Sequence, residues 1–295
     1  MFAKWKAARL FHRLFKRPDI NKAYKMVGPE DSWYDTITTV HNSLAEIRKL
    51  PHEPWQLVSH DGLSLKALYY PCEGSTKTMI WIHGYTSHAE RESAYPALFY
   101  RSIGYNVLIP YLRAHGPSEG KYICFGALEA MDIQGWVGKI NALHPDGSIV
   151  IHGLSMGGGI ALDLACQDVP NVKAMVVDAP STDLWWLMEG YPKHLYKNDG
   201  EAVSREMYAR YRKEFGLDAH DFQRLDNIKN GRYPLLLSAG SNEDREEDFR
   251  IIRQRNPMET QIIILPGCNH GNGMYKQTQL YQTAIRQFLD KYITR

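Results

Sequence analysis

The sequence is poor in the features that mark disulfide-rich, membrane-spanning and nucleic-acid-binding proteins. Only four cysteines occur in 295 residues, and they are far apart with no Cys-x-x-Cys pair, so we expect reduced thiols and neither a disulfide framework nor a cysteine metal site. No apolar run reaches the roughly 18 residues that cross a bilayer. The net charge is only +2, and no basic block runs through the body of the chain, which argues against a nucleic-acid partner.

The N-terminus does not have the apolar core and small-residue cleavage site of a signal peptide, which predicts a cytoplasmic protein. Residues 1–17 instead show an amphipathic helical pattern. Such a basic helix either contacts an anionic membrane peripherally or docks on its own domain. One face carries Ala7, Leu10, Phe11, Leu14 and Phe15, and the other carries Arg9, Arg13, Lys16 and Arg17.

From about residue 55 onward, short apolar runs alternate with helical patterns, which predicts an α/β fold with a mainly parallel sheet covered by helices on both faces. Asp61-Gly62 indicates a hairpin that makes the opening pair an antiparallel edge. The predicted strands are Trp55–Ser59, Leu63–Tyr70, Thr78–His83, Tyr105–Pro110, Ser148–His152, Lys173–Asp178, Pro234–Ala239 and Gln261–Pro266. The predicted helices are Glu92–Ser102, Gly126–Ala142, Met156–Asp168, Glu246–Arg255 and Thr278–Tyr292.

The segment 181–232 interrupts this alternation. It has helical patterns but no strand pattern, and it follows a strand at the edge where ligands bind in such sheets, which predicts a cap or lid. Its aromatic residues suggest an apolar acyl or aryl substrate group or, equally well, simple packing; they are Trp185, Trp186, Tyr191 and Tyr196. The predicted organisation is a helical extension, 1–54, and one domain, 55–295.

A Gly-x-Ser-x-Gly sequence, Gly153 to Gly157, lies directly between a predicted strand and a predicted helix. This position is typical of a nucleophile elbow, in which the chain turns so sharply that only glycine fits two residues to either side of the serine. Ser155 would then stand above the sheet as a nucleophile. The N–H of Met156 would face developing negative charge at the start of the helix.

A serine hydroxyl attacks at neutral pH only if a base removes its proton, and a carboxylate usually orients that base. With this elbow, the acid and then the histidine follow the serine along the chain. His270, flanked by Gly267 and Gly271 after the last strand, is the predicted base. The preceding loop offers two acids, Glu243 and Asp244, between which the pattern does not decide, and Asp178 is a more distant candidate.

The loop after the third strand, His83-Gly84-Tyr85, is predicted to supply the second donor to an oxyanion, because Gly84 permits a close approach to the nucleophile. The N–H of Tyr85 is the expected donor. Three polar residues follow this loop and could recognise a charged substrate terminus, or they could form the solvated start of a helix; they are His88, Glu90 and Arg91.

Four motifs together resemble the α/β-hydrolase superfamily, and within it the bacterial esterase and lipase-like proteins described as cell-surface hydrolases. They are His83-Gly84-Tyr85, the Arg113–Gly120 stretch, Gly153–Gly157 and Asn269-His270-Gly271. The resemblance covers about residues 55–293 and implies an eight-stranded core, a helical cap after the sixth strand, and hydrolysis without cofactor or metal.

The chain departs from the family pattern at three positions. Tyr111 and Ala114 stand where Asp and Gly are usual, and Glu243 takes the position of the acid unless a one-residue insertion places Asp244 there. The expected activity is cleavage of small-molecule carboxylic esters through an acyl-enzyme on Ser155. A peptidase or amidase, or a non-catalytic binding protein of the same fold, are the alternatives.

Overall fold

A computed structural model describes residues 2–19 and 28–293. It contains one eight-stranded sheet, whose strands are β1 Glu53–Val58, β2 Ser64–Tyr70, β3 Lys77–Ile82, β4 Asn106–Tyr111, β5 Ser148–Leu154, β6 Val172–Asp178, β7 Leu235–Gly240 and β8 Thr260–Leu265. The strands lie side by side in the order β1-β2-β4-β3-β5-β6-β7-β8. The β1–β2 and β2–β4 pairs are antiparallel and every other pair is parallel, so the predicted antiparallel edge and parallel body are confirmed.

Each predicted helix of the sheet region is present, two of them with the predicted bounds. The helices are α1 Phe2–Phe15, α2 Ile37–Ile47, α3 Ala89–Ser102, α4 Ala127–Leu143, α5 Met156–Ala165, α6 Tyr191–Tyr196, α7 Gly200–Phe215, α8 Arg224–Asn227, α9 Glu246–Arg255, α10 Gly273–Lys276 and α11 Thr278–Tyr292. The predicted third helix ends at Ala165 instead of Asp168.

The core lies on both faces of the sheet, because successive strand residues point to opposite sides. In β3, Ile80 and Ile82 join one buried cluster, whereas Met79 and Trp81 join the other. This alternation explains why the central strands are apolar at nearly every position.

Helix α1 packs against α7. Leu10, Phe11 and Phe15 are buried, and the rings of Phe11 and Phe15 stack 4.4 Å apart. The apolar face that a membrane contact would have used is thus covered by the protein's own chain, as in the docking alternative. No helix within the described ranges is both long and apolar enough to cross a membrane.

Residues 181–232, all of them described, form helices and no strand between β6 and β7; we call them the β6–β7 insertion. The buried guanidinium of Arg224 fixes this insertion to the sheet domain. It donates to both carboxylate oxygens of Asp163, at 2.9 and 2.7 Å, and to the backbone oxygens of Phe125 and Ser181, at 2.6 and 3.1 Å.

Candidate active site

Ser155 lies in a strained turn between β5 and α5, with φ 58° and ψ −112°, a conformation that costs a non-glycine residue free energy. The two motif glycines are required because neither position has room for a side chain. A Cβ on Gly157 would lie 1.9 Å from the carbonyl oxygen of Ile82, and a Cβ on Gly153 would lie 2.2 Å from that of Gly157. The turn therefore has the sterics of a nucleophile elbow.

Three side chains form a continuous hydrogen-bonded chain at the carboxyl ends of the strands. His270 Nε2 lies 2.9 Å from Ser155 Oγ, and His270 Nδ1 lies 2.6 Å from Glu243 Oε2. The second oxygen of Glu243 accepts the N–H of Gly240 at 3.1 Å. Glu243 follows β7 and His270 follows β8, so two adjacent parallel strands bring these residues together across 27 residues of sequence. Ser155 follows β5 at the same edge of the sheet and precedes His270 by 115 residues.

Glu243 and Asp244, which the sequence left equal, occupy different environments. The Glu243 side chain is 10% exposed and bonds to His270, whereas Asp244 is exposed. The backbone of the loop explains this difference: the N–H of Asn242 donates to the carbonyl of Cys268 at 3.0 Å, which fixes the next side chain toward the histidine loop.

Asp178, the distant candidate, is buried beside Ser238 and Tyr281. Burial raises the pKa of its carboxyl to about 7, against the opposing hydrogen bond from Ser238. Its backbone oxygen accepts the N–H of Ser155 at 2.8 Å. The structure thus connects Asp178 to the elbow through its backbone.

The electrostatics of the Glu243–His270 pair favour a base next to Ser155. The hydrogen bond from His270 to Glu243 raises the pKa of His270 above its usual range, although burial works in the other direction. Burial raises the pKa of Glu243, but the bond and charge of His270 outweigh it and the net shift is downward. Glu243 therefore stays ionised and stabilises a protonated imidazole.

Both residues predicted as oxyanion donors lie beside Ser155. Met156 is the first residue of α5, where a backbone N–H has no acceptor within the helix. Tyr85 lines the same hollow as Ser155, and its hydroxyl donates to the carbonyl of Leu14 at 2.6 Å.

No sequence motif singles out Glu92, which supports the Tyr85 loop through hydrogen bonds. Its carboxylate accepts the N–H of Gly84 at 3.0 and 3.1 Å and the indole N–H of Trp81 at 3.1 Å. Burial raises its pKa, while hydrogen bonds led by that of Ser87 oppose the rise. Only its position one turn into α3, facing the loop, would have indicated this contact.

The three polar residues after the loop separate into different roles. His88 caps α3, accepting the N–H of Arg91 at 3.3 Å. Glu90 is buried and pairs with Arg48, whose Nε lies 3.0 Å away. Of the three, Arg91 lines the hollow that contains Ser155.

The hollow beside Ser155 has a volume of about 500 Å³. Part of its wall comes from the N-terminal extension, through Trp33, Ile37 and Val40, which no sequence motif connects with the site. Their spacing indicates one apolar helical face, but it does not reveal what that face covers. The aromatic Trp185 of the β6–β7 insertion lines a separate hollow of about 410 Å³.

Within the described ranges, no group of three or more His, Cys, Asp or Glu side chains is arranged to hold a metal ion. The strained serine after β5, the histidine after β8 and the eight-stranded, mostly parallel sheet define an α/β hydrolase. Residues 74–242 match the family described as serine aminopeptidase, S33, and the chain belongs to that family of α/β hydrolases.

Curated relatives resemble less than half of the chain. The uncharacterized protein YqkD of Bacillus subtilis is 31% identical over 132 residues, which cover 43% of each protein. A multifunctional-autoprocessing repeats-in-toxin protein of Vibrio cholerae is 32% identical over 119 residues, which cover 37% of this chain and 3% of the toxin. The chain therefore matches less than half of the length of either relative.

Among solved structures, the esterase Pf2001 of Pyrococcus furiosus superposes with a TM-score of 0.65 and 22% identity. The superposition covers 92% of this chain and all of the esterase. At this identity the likeness establishes the fold. The family and fold together support a hydrolase.

Proposed function

We propose that the protein is a serine hydrolase that cleaves carboxylic esters of small molecules. The observation that carries the proposal is the unbroken hydrogen-bonded chain from Glu243 through His270 to Ser155. It supplies the base, and the orienting carboxylate, that an alcohol nucleophile needs.

In this mechanism the Ser155 Oγ attacks the ester carbonyl while His270 Nε2 takes its proton. Glu243 holds the Nδ1–H tautomer and stabilises the imidazolium that forms. The N–H groups of Met156 and Tyr85 donate to the oxyanion of the tetrahedral intermediate. His270 then gives its proton to the leaving alcohol, and water releases the acyl group from Ser155 by the same steps.

The composition of the hollow favours an ester with an uncharged acyl group. Leu154, Tyr85, Tyr275 and the three extension residues give the hollow an apolar and aromatic surface beside Ser155, with Asp31, Arg91 and Glu92 as its charged residues. Such surfaces bind uncharged groups by removing apolar area from water.

A peptidase is the second candidate, because the matched family is described as serine aminopeptidase. The carboxylate of Asp31, which lines the same hollow, could accept a substrate ammonium group. The guanidinium of Arg91 lines the same hollow and would repel an ammonium group, which is why we place the ester first.

A fluorophosphonate probe tests the nucleophile, since it forms a covalent bond with an activated serine. We expect labelling of the native protein, loss of labelling in Ser155→Ala, and retention in Ser102→Ala, which removes a hydroxyl at the end of α3. Absence of labelling in a folded sample would count for a binding protein instead. p-Nitrophenyl acyl esters compared with aminoacyl p-nitroanilides then separate esterase from peptidase.

A further inference from the structure

We infer that the N-terminal extension selects the acyl group of the substrate, through three side chains that we call the α2 wall: Trp33, Ile37 and Val40. The group it accepts is an uncharged aliphatic or aryl acyl group of limited length. This inference rests on the proposed ester hydrolysis. It assigns specificity to a segment that precedes the first strand, instead of to the β6–β7 insertion.

The α2 wall shares a hollow with the reacting atoms. Its three side chains line the same space of about 500 Å³ as Ser155 and His270. A group attached to a carbonyl on Ser155 must extend into this space or into solvent. Pockets of this size enclose most of a small ligand. An apolar acyl group therefore enters the hollow instead of remaining in solvent, and there it contacts the α2 wall.

The wall is fixed on the side of the histidine loop. The amide of Asn272 donates to the carbonyl of Ser32 at 3.0 Å. The indole of Trp33 meets the ring of Tyr275 edge-on at 5.5 Å, and a Cβ on Gly271 would lie 3.3 Å from Trp33 Cζ2. Trp33 is therefore held against the backbone next to the base.

The wall is also fixed on the side of α3. Helix α2 packs along α3, and the guanidinium of Arg48 forms two hydrogen bonds with the carboxylate of Glu90, which is only 11% exposed. Val40 itself is 5% exposed. A wall held at both edges cannot move aside for a longer chain, so it discriminates by size.

The β6–β7 insertion does not reach this hollow in the described structure. Trp185 lies with Leu184 and Phe222 around the other hollow, and the two hollows share none of the lining residues that the structure describes. The exposed indole of Trp185 consequently provides a control of the same residue type.

Charge and exposure indicate which half of the ester the wall contacts. Glu92 is a charged residue of the hollow, but its carboxylate accepts the N–H groups of Gly84 and Trp81 and supports the Tyr85 loop. The His270 side chain is half exposed, and it must protonate the leaving alcohol. That alcohol therefore departs on the open side, whereas the acyl group stays in the hollow until water attacks.

The test is the acyl-length profile of kcat/KM on p-nitrophenyl esters from acetate to dodecanoate. Trp33→Ala enlarges the hollow and should move the profile toward longer chains. Ile37→Phe narrows it and should lower kcat/KM for octanoate relative to acetate by about tenfold, the scale at which apolar pockets discriminate small size differences. Trp185→Ala should leave the profile unchanged.

Thermal unfolding checks that each variant is folded, and Val40→Phe provides a second narrowing variant if Ile37→Phe is not. Profiles of the wall variants that superpose on the native one, or a shift in Trp185→Ala, would overturn the inference while leaving the ester hydrolase intact. A folded native protein that cleaves no ester would overturn the proposed function itself.

Discussion

Replacing Glu243 by Gln is the most direct test of the hydrogen-bonded chain at the site. The substitution keeps the size of the side chain but removes the charge that lies 2.6 Å from His270 Nδ1. An amide in this position no longer stabilises the imidazolium, and the comparable change in a serine protease lowers kcat about 10⁴-fold. Because each tenfold loss corresponds to about 1.4 kcal/mol, we expect about 5 kcal/mol of lost transition-state stabilisation.

The same variant should change the pH profile in a defined direction. His270 must be neutral to act as a base, so activity falls as the pH drops through its pKa. Glu243 raises that pKa, which places the acidic limb of the native profile above the usual histidine range. Glu243→Gln removes this effect, and the acidic limb of kcat/KM should therefore move to lower pH.

The assay is kcat/KM for p-nitrophenyl acetate across pH 5–9 in the native protein, Glu243→Gln and Asp244→Asn. Asp244→Asn removes an exposed charge one residue away and should change kcat/KM by less than about threefold, as surface substitutions do. The reasoning is refuted if Asp244→Asn shows the larger loss, or if Glu243→Gln keeps its acidic limb in place.

Three further substitutions test the turn, the insertion and the loop. Gly157→Ala should abolish activity and lower the melting temperature, because its Cβ would meet the carbonyl of Ile82 at 1.9 Å; a native melting curve would contradict this. Arg224→Met leaves Asp163 buried without its cation and should cost about 3–5 kcal/mol in urea unfolding, much of it regained in Arg224→Met with Asp163→Leu. Glu92→Gln places an amide N–H against N–H donors and should lower kcat by up to about 100-fold with little change in KM, and a change in KM alone would argue against it.

The fold was predictable because the spacing of apolar residues along the sequence reflects which side chains are buried in each strand or helix. The β3 strand is apolar on both faces and proved to lie inside a parallel sheet, and Glu246–Arg255 is amphipathic and proved to be α9 with those bounds. Ser155 and His270 were predictable as neighbours because each follows a parallel strand. Parallel strands end at the same edge of the sheet, so residues far apart in sequence lie close together there.

Other parts of the site could not be predicted, because they depend on tertiary contacts that a sequence pattern does not contain. Glu243 and Asp244 are adjacent and chemically alike, and the hydrogen bond of Asn242 to the next loop decides between them. Trp33 lies 122 residues before Ser155 in the sequence, and only tertiary packing places them around one hollow. The aromatic residues of the insertion left substrate contact and simple packing equally open for the same reason, and Trp185 borders a different hollow.

The hydrogen bond from Tyr85 to Leu14 has a practical consequence for experiments on the N-terminus. Trimming the first seventeen residues to improve expression would remove Leu10, Phe11 and Phe15 and expose the rings of Tyr211 and Phe215 on α7, against which Phe11 and Phe15 pack. It would also remove the carbonyl that accepts the hydrogen bond of the Tyr85 hydroxyl. A loss of lipid association or of turnover in such a truncation would then report damage to the fold. Substituting serine for Phe2 and Trp5, which are both exposed, leaves the packed face of the helix in place. Vesicle binding by this variant is therefore measured without disturbing the fold.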